Sequence, residues 1–401
     1  MDLIYLDNNA TTRPTQEVSA AVAEAHDELW GNPSSVHRFG QRVRQRLELA
    51  RAATASLLGA RPRELVFTSG GTESCALAIR GLRAAQRGAE RFTLVTTDIE
   101  HAAVRELAEA MATGGEGRTD VVKLPLSGGG VADASALPEL LANAAGPVLV
   151  SVQWANNETG AIQPIAELAA AVADARQVGA KTWLHSDATQ AVGKLPVDAP
   201  ASGVDLISFA AHKFHGPKGV GGLWLRRGVR VRPVQLGGPQ ETERRGGTEN
   251  VPGVLGMGVA AKQAAEFLAD PTQRDAIANL RDDLERRIAD GLRDAGHDPP
   301  VVNSASAPRL WNTTNLGFRG LEAEAILLGL SERGVCASAG AACSSGSLEP
   351  SPVLRAMGID EPVAHGSVRL SLSRFTTTDE IGRAAEVLVA VVARLGQVLP
   401  V

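Results

Sequence analysis

Five short stretches and one cysteine of this 401-residue chain carry residue types that could do chemistry. Lys213 stands in SFAAHKFHGPKGVGG (residues 208–222), after an apolar run of Val204, Leu206, Ile207 and Phe209 that reads as a short buried strand. The Gly and Pro residues after Phe214 force a loop. A lysine placed there is partly desolvated and is a usable nucleophile toward an aldehyde. Asp187, in LHSDATQ (184–190), ends a second buried run. An unpaired buried carboxylate is costly, so it must face a cation or a strong donor. Gly70-Gly71-Thr72 opens a helix, whose free amides and positive dipole end suit a phosphate, with the Thr72 hydroxyl as a further donor. His101, just before another helix, could stack on a flat ring and shuttle protons. The amides of Trp154-Ala155-Asn156-Asn157-Glu158-Thr159-Gly160, after a strand end, could bond a phenolic oxygen. Each stretch alone has an ordinary structural reading: a solvated loop, a satisfied aspartate, an N-cap, a capping histidine, a turn.

The cysteine is Cys343, in AGAACSSGS (339–347). Small residues on both sides read as a mobile, accessible loop, the setting of a nucleophile. Cys336, beside apolar Val335, suits a structural role better. The protonated pyridine nitrogen of pyridoxal 5′-phosphate is one partner that Asp187 could face. Asp187 at that nitrogen would keep the ring an electron sink.

The elements that must position these residues alternate. Helical periodicity spans about 16–29 and then runs to about 58, either side of a Gly-Asn-Pro-Ser-Ser break. Strand-like runs follow at 65–68, 92–96, 120–124, 148–154, 182–186 and 221–225, with helices from 72, 101, 134 and 165 between them. Such alternation predicts a mainly parallel sheet with helices on both faces. A small-residue helix near 253–267 and a charged one at 275–293 lead into a second, α+β unit holding 312–318, 322–330, the cysteine loop, 367–372 and a final helix. The segment YLDNNATT (5–12) reads as too polar for the core, and residues 113–117 and 127–130 as surface turns. The boundaries expected are 16–262 for the large domain, and 1–15 with 263–401 for the small one, its cysteine loop at about 334–348.

Composition sets the outer limits. With 44% hydrophobic residues, 21% charged and a net charge of −5, nothing argues for a nucleic-acid or membrane surface. No apolar run approaches the roughly 20 residues of a membrane helix. The arginines of 226–232 read as a solvated face. Three cysteines without CxxC spacing exclude a disulfide framework and argue against a zinc site, pointing to a cytoplasmic protein with reduced thiols.

In this order the motifs resemble those of the class V aminotransferase-like enzymes, above all the cysteine desulfurases, over almost the whole chain. The resemblance is carried by YLDNNATT, GNPSSVHRFG, TSGGTES, EHAAV, ANNETG, HSDATQAVGK, SFAAHKFHGPKG, RRGGTENVPG, ASAGAACSSGSLEPS and SVRLSLSRFTT. It implies the pyridoxal-phosphate aminotransferase fold (fold type I), with a mainly parallel seven-stranded sheet. It implies that Lys213 is the Schiff-base lysine and that Asp187 pairs with the pyridine nitrogen. Gln190 and Asn157 would bond the ring hydroxyl and His101 would stack on the ring. Gly71, Thr72, His212 and, from a neighbouring subunit of a homodimer, Thr248 would hold the phosphate, while Arg369 and Asn32 would bind the substrate carboxylate. The activity implied is conversion of L-cysteine to L-alanine, with sulfur passing to Cys343 and then to an acceptor such as an iron–sulfur scaffold protein. No metal site is implied. The details resemble the nitrogen-fixation-type members. A selenocysteine lyase or another class V enzyme would keep the lysine, aspartate and phosphate cup without needing Cys343; a non-catalytic scaffold would have no use for any of them. The pattern departs at two positions. Ala210 stands where a phosphate-binding Ser is common, three residues before the lysine, leaving Ser208 or water to substitute; Cys75 stands where Asn or Asp is usual.

Overall fold

The computed structural model describes residues 3–114, 118–339 and 349–398. Its strands, in chain order, are β1 Ile4–Tyr5, β2 Leu65–Thr68, β3 Arg91–Thr96, β4 Arg118–Lys123, β5 Leu126–Ser127, β6 Val131–Ala132, β7 Val148–Ser151, β8 Thr182–Asp187, β9 Leu206–Ala210, β10 Gly221–Leu225, β11 Val301–Val302, β12 Thr313–Gly317, β13 Val335–Cys336 and β14 Ser367–Ser371. Seven of them form one sheet in the order β2-β10-β9-β8-β7-β3-β4. Within it β10 runs antiparallel to both its neighbours, and every other pairing is parallel.

Side chains on a strand alternate between faces, so a sheet covered on both sides needs apolar residues at every position. β9, apart from Ser208, and β10 meet that demand. Ile207, Phe209 and Trp224 point into a core shared with helices Arg38–Leu57 and Val251–Ala269. Leu206, Leu223 and Leu225 point into one shared with helices Gly71–Ala85 and Ala102–Thr113. The result is a three-layer α/β unit. Because β2 lies parallel to β9, the carboxyl ends of six strands share one edge of the sheet, where ligands of open α/β sheets bind.

A second core forms around the antiparallel sheet β11-β12-β14. Helix Pro271–Asp294 buries Ile277, Arg281, Leu284, Ile288 and Leu292, a stripe at helical spacing. Arg281 is tolerated within the stripe because its guanidinium donates to the Leu310 carbonyl at 2.7 Å and to Asp282. Helices Ala323–Ser331 and Thr378–Val398 pack on the same core. The parallel ladder β1-β13 carries Ile4 and Leu6 into it.

Three expectations need correction. The run expected as a strand over 148–154 leaves the sheet after Ser151, because the Gln153 amide turns to the Glu100 carboxylate at 3.0 Å. The helix expected from 134 begins as a 3-10 turn, Ala134–Ala136, and becomes α-helical only at Leu137, with Pro138 in its first turn. The segment read as too polar for the core is buried: Leu6, Asn8, Asn9 and Thr12 are all enclosed.

Candidate active site

A cavity of about 610 Å³ opens at the carboxyl edge of the large sheet. Each strand of its floor delivers one group. Past the end of β9 the chain makes a single 3-10 turn, Ala211–Lys213, which turns the lysine toward the cavity. Lys213 Nζ donates to the carbonyl oxygens of Asn9 at 2.7 Å and Ala10 at 2.8 Å. Lys218, five residues on, is exposed and lies outside the cavity lining. Asp187 closes β8, is 7% exposed, and accepts the Thr189 amide at 3.0 Å.

After β3, His101 is both N-cap and cavity wall. Its Nδ1 accepts the Ala103 amide at 3.1 Å, which assigns the proton of the neutral ring to Nε2. Burial lowers the pKa of the ring below the ordinary imidazole value, with Lys213 and Arg105 adding to the effect and Asp187 opposing it. His212 also faces the cavity; burial, and then the neighbouring lysines, bring it down to about 4.

The phosphate end is built by the turn after β2. Helix Gly71–Ala85 has Gly70 as its N-cap and no side-chain cap, leaving its first amides open to a ligand. Gly71 and Thr72 line the cavity, and a Cβ added to Gly71 would intrude to 3.0 Å from Thr189 Oγ1.

On the opposite wall Arg369, 2% exposed, pairs with Asp7 at 2.7 Å and donates to the Asn157 carbonyl at 2.9 Å. Asn157 lines the cavity, as does Gln190, whose Nε2 donates to the Asn9 carbonyl at 2.9 Å. Nine residues singled out in the sequence therefore meet at one cavity: Gly71, Thr72, His101, Asn157, Asp187, Gln190, His212, Lys213 and Arg369.

Three do not. Asn32 is exposed, and its carboxamide oxygen accepts the Ser34 amide at 2.8 Å within its own turn. Thr248 is exposed at a separate pocket of about 90 Å³ beside Ser69, Gly219 and Arg245. Cys343 lies outside the described residues. Of the other cysteines, Cys75 is fully buried and Cys336 lies in the β1-β13 ladder. Burial, ahead of any charge, raises both thiols above the ordinary range and so holds them protonated. Ser208 is no substitute donor at Ala210, because its hydroxyl is buried against His185 Nε2 at 2.9 Å.

The sequence reading missed two residues that hold the site together. Asn9 receives both Lys213 and Gln190 on its carbonyl, and its Oδ1 accepts Lys194 Nζ at 2.7 Å. Lys194 is fully enclosed and donates to Gln190 Oε1 at 2.5 Å, so it fixes which way that carboxamide faces. Burial, together with Lys213 and Arg369, takes its amine well below the ordinary lysine range.

Enzymes that hold pyridoxal 5′-phosphate on an aminotransferase-like fold need an amine and a carboxylate at neighbouring strand ends, a demand Lys213 and Asp187 meet. Residues 4–383 match the family described as Aminotransferase class-V, and the chain belongs to it. It is 46% identical over 398 residues to the cysteine desulfurase NifS of Azotobacter vinelandii, covering 99% of this chain and 94% of that one. To a cysteine desulfurase of Trichormus azollae it is 44% identical over 401 residues, covering 100% and 95%. A solved NifS-like protein superposes with a TM-score of 0.86 at 33% identity, over 98% of this chain and 100% of that one. A structure described as SspA in complex with cysteine superposes with a TM-score of 0.75 at 29% identity, over 93% and 99%. The cofactor of the family is pyridoxal 5′-phosphate, and the uncapped helix start, the bare Gly71 and the Lys213–Asp187 floor fit it.

Proposed function

We propose that this chain is a cysteine desulfurase that converts L-cysteine to L-alanine and carries the released sulfur as a persulfide on Cys343. The observation that carries this reading is the meeting of Lys213, Asp187, His101, Gln190 and Arg369 around one cavity. Relatives named as cysteine desulfurases support it along the full chain.

When bound, pyridoxal phosphate supplies an aldehyde for the substrate amine and a ring that takes up the electron pair left at Cα. Lys213 would hold it, with Asp187 at its ring nitrogen and Gln190 and Asn157 at its hydroxyl. Gly71, Thr72 and His212 would take its phosphate, along with Thr248 of a second copy of the chain. Lys213 Nζ, once exchanged for substrate, takes the Cα proton. Arg369, oriented by Asp7, binds the substrate carboxylate. His101, neutral near pH 7, stacks on the ring and moves protons. The Cys343 thiolate attacks the substrate sulfur; the new S–S bond forms as the substrate C–S bond breaks, and the carbon fragment is protonated to alanine. Cysteine and one enzyme thiol thus give alanine and one enzyme persulfide, with no outside oxidant.

The persulfide then passes sulfur to an acceptor, for which we propose an iron–sulfur scaffold protein. The chain acts as a cytoplasmic homodimer; no described helix is long and apolar enough to cross a membrane. We assign residues 16–262 to the cofactor-binding domain, and 1–15 with 263–401 to the small one. Incubating the purified protein with L-cysteine tests the reading. Alanine should appear in step with a gain of one sulfur on the peptide holding Cys343. Pyruvate, or alanine with no sulfur on the protein, would overturn it.

A further inference from the structure

The corner where helix Gly71–Ala85 begins is walled by Gly71, Thr72, Ala210 and His212. Ala210 brings only a methyl group to it. Ser208 cannot help, being bonded to His185, and the helix has no side-chain cap. One more hydroxyl reaches the corner. Thr189 lines the cavity, and its Oγ1 is sealed from solvent without a hydrogen-bond partner among the described residues. A Cβ on Gly71 would stand 3.0 Å from that oxygen and 3.7 Å from Ala210 Cβ. The hydroxyl and the methyl therefore flank the same point, directly before the open helix amides.

The backbone of Thr189 is fixed, since its amide is bonded to Asp187 Oδ1 at 3.0 Å. Buried hydroxyls are rarely left without a partner, because an unmade hydrogen bond forfeits the solvation the group had in water. A phosphate oxygen at the helix start is the acceptor that would satisfy this one, and a charged acceptor strengthens the bond.

We infer that Thr189 donates its hydroxyl to the cofactor phosphate, supplying at Ala210 the donor that strand β9 lacks. The inference rests on the pyridoxal-phosphate reading of the cavity. One residue pair would then serve both ends of the cofactor: Asp187 the ring nitrogen, and Thr189, which Asp187 steadies, the phosphate.

Titration of the cofactor-free enzyme with pyridoxal phosphate, and separately with pyridoxal, tests it by absorbance and without turnover. Losing one charge-assisted bond should raise the Kd for pyridoxal phosphate about ten- to a hundredfold in Thr189→Val, while the Kd for pyridoxal stays within about twofold. Thr189→Ser should bind like the parent, and Ala210→Ser should restore affinity to Thr189→Val. Thr189→Ala, which removes the hydroxyl without a β-branch to fit, should repeat the split. An unchanged Kd for pyridoxal phosphate, or equal losses for both compounds, would overturn the inference. Failure of the parent enzyme to bind pyridoxal phosphate at all would instead overturn the cofactor reading beneath it.

Discussion

Arg369 and Asp7 form a 2.7 Å ion pair that ties the strand before the last helix to the first residues of the chain. The arginine is almost completely enclosed, the aspartate only partly, so the pair turns the guanidinium along the cavity wall. Removing one partner of such a pair leaves the other charge unsatisfied, and the loss exceeds that of a surface bridge. Asp7→Ala should raise KM for L-cysteine about tenfold while changing kcat less, since the arginine is misplaced rather than lost. Steady-state kinetics decide it; an unchanged KM would separate Arg369 from the substrate carboxylate.

Lys213→Ala should remove the visible absorbance of the bound cofactor and lower turnover by about 10²- to 10⁴-fold from the lost proton transfer alone. Lys218→Ala should leave both intact, because that side chain is exposed away from the cavity. The reverse pattern would refute the assignment.

Cys343→Ser should keep the cofactor spectrum and its change on adding L-cysteine, yet release no sulfide, because a hydroxyl cannot accept sulfur. A persulfide found by mass spectrometry on Cys75 or Cys336 would transfer the role to a thiol that burial keeps protonated.

Stability should depend on pH through the enclosed histidines. Burial brings His185, His212 and His215 from 6.5 down to about 4. Between those values the unfolded chain binds more protons than the folded one, so stability falls as pH falls. It is fully present above 6.5 and is lost through about 4. Glu100 opposes the histidines: burial raises it from 4.5 to about 8, so its contribution, full below 4.5, is lost as pH rises through about 8, and three histidines outweigh one carboxyl. Melting temperature should therefore drop from pH 7 to pH 4.5, and His185→Asn should flatten the slope. A melting temperature constant over that range would exclude the mechanism.

Thr248→Ala should weaken cofactor retention about ten- to a hundredfold without unfolding the chain, one charge-assisted bond being lost. Mixed with Lys213→Ala under subunit exchange, it should yield dimers in which one site carries both lesions and the other neither, so that activity returns. No recovery despite proven exchange would remove Thr248 from the partner's site.

The sheet was legible because its strands are short apolar runs between glycines. The reading of 65–68 and 221–225 matches β2 and β10 residue for residue. The chemical residues were legible because they follow strand ends, where periodicity stops. What stayed hidden was the burial of residues 5–12. A polar run carries no apolar period, and the partners that satisfy it lie hundreds of residues away: Asn9 bonds Lys194, Asn312 and Thr313. Ser208 misled for a related reason. Sequence shows that it precedes the lysine, and only packing shows that its hydroxyl belongs to His185.

The crossing of the first residues over the site has a consequence for biosynthesis. Strand β1 finds its ladder only when Val335 has been made, and Asp7 finds Arg369 later still. A nascent chain can assemble the large sheet while still on the ribosome, but Asn9, which receives Lys213 and Gln190, lacks its bonds to Asn312 and Thr313 until β12 and its flanks emerge. Contacts of such long range close late. Cofactor capture is thereby deferred to near the end of translation, and chains truncated before residue 313 should be recovered without it.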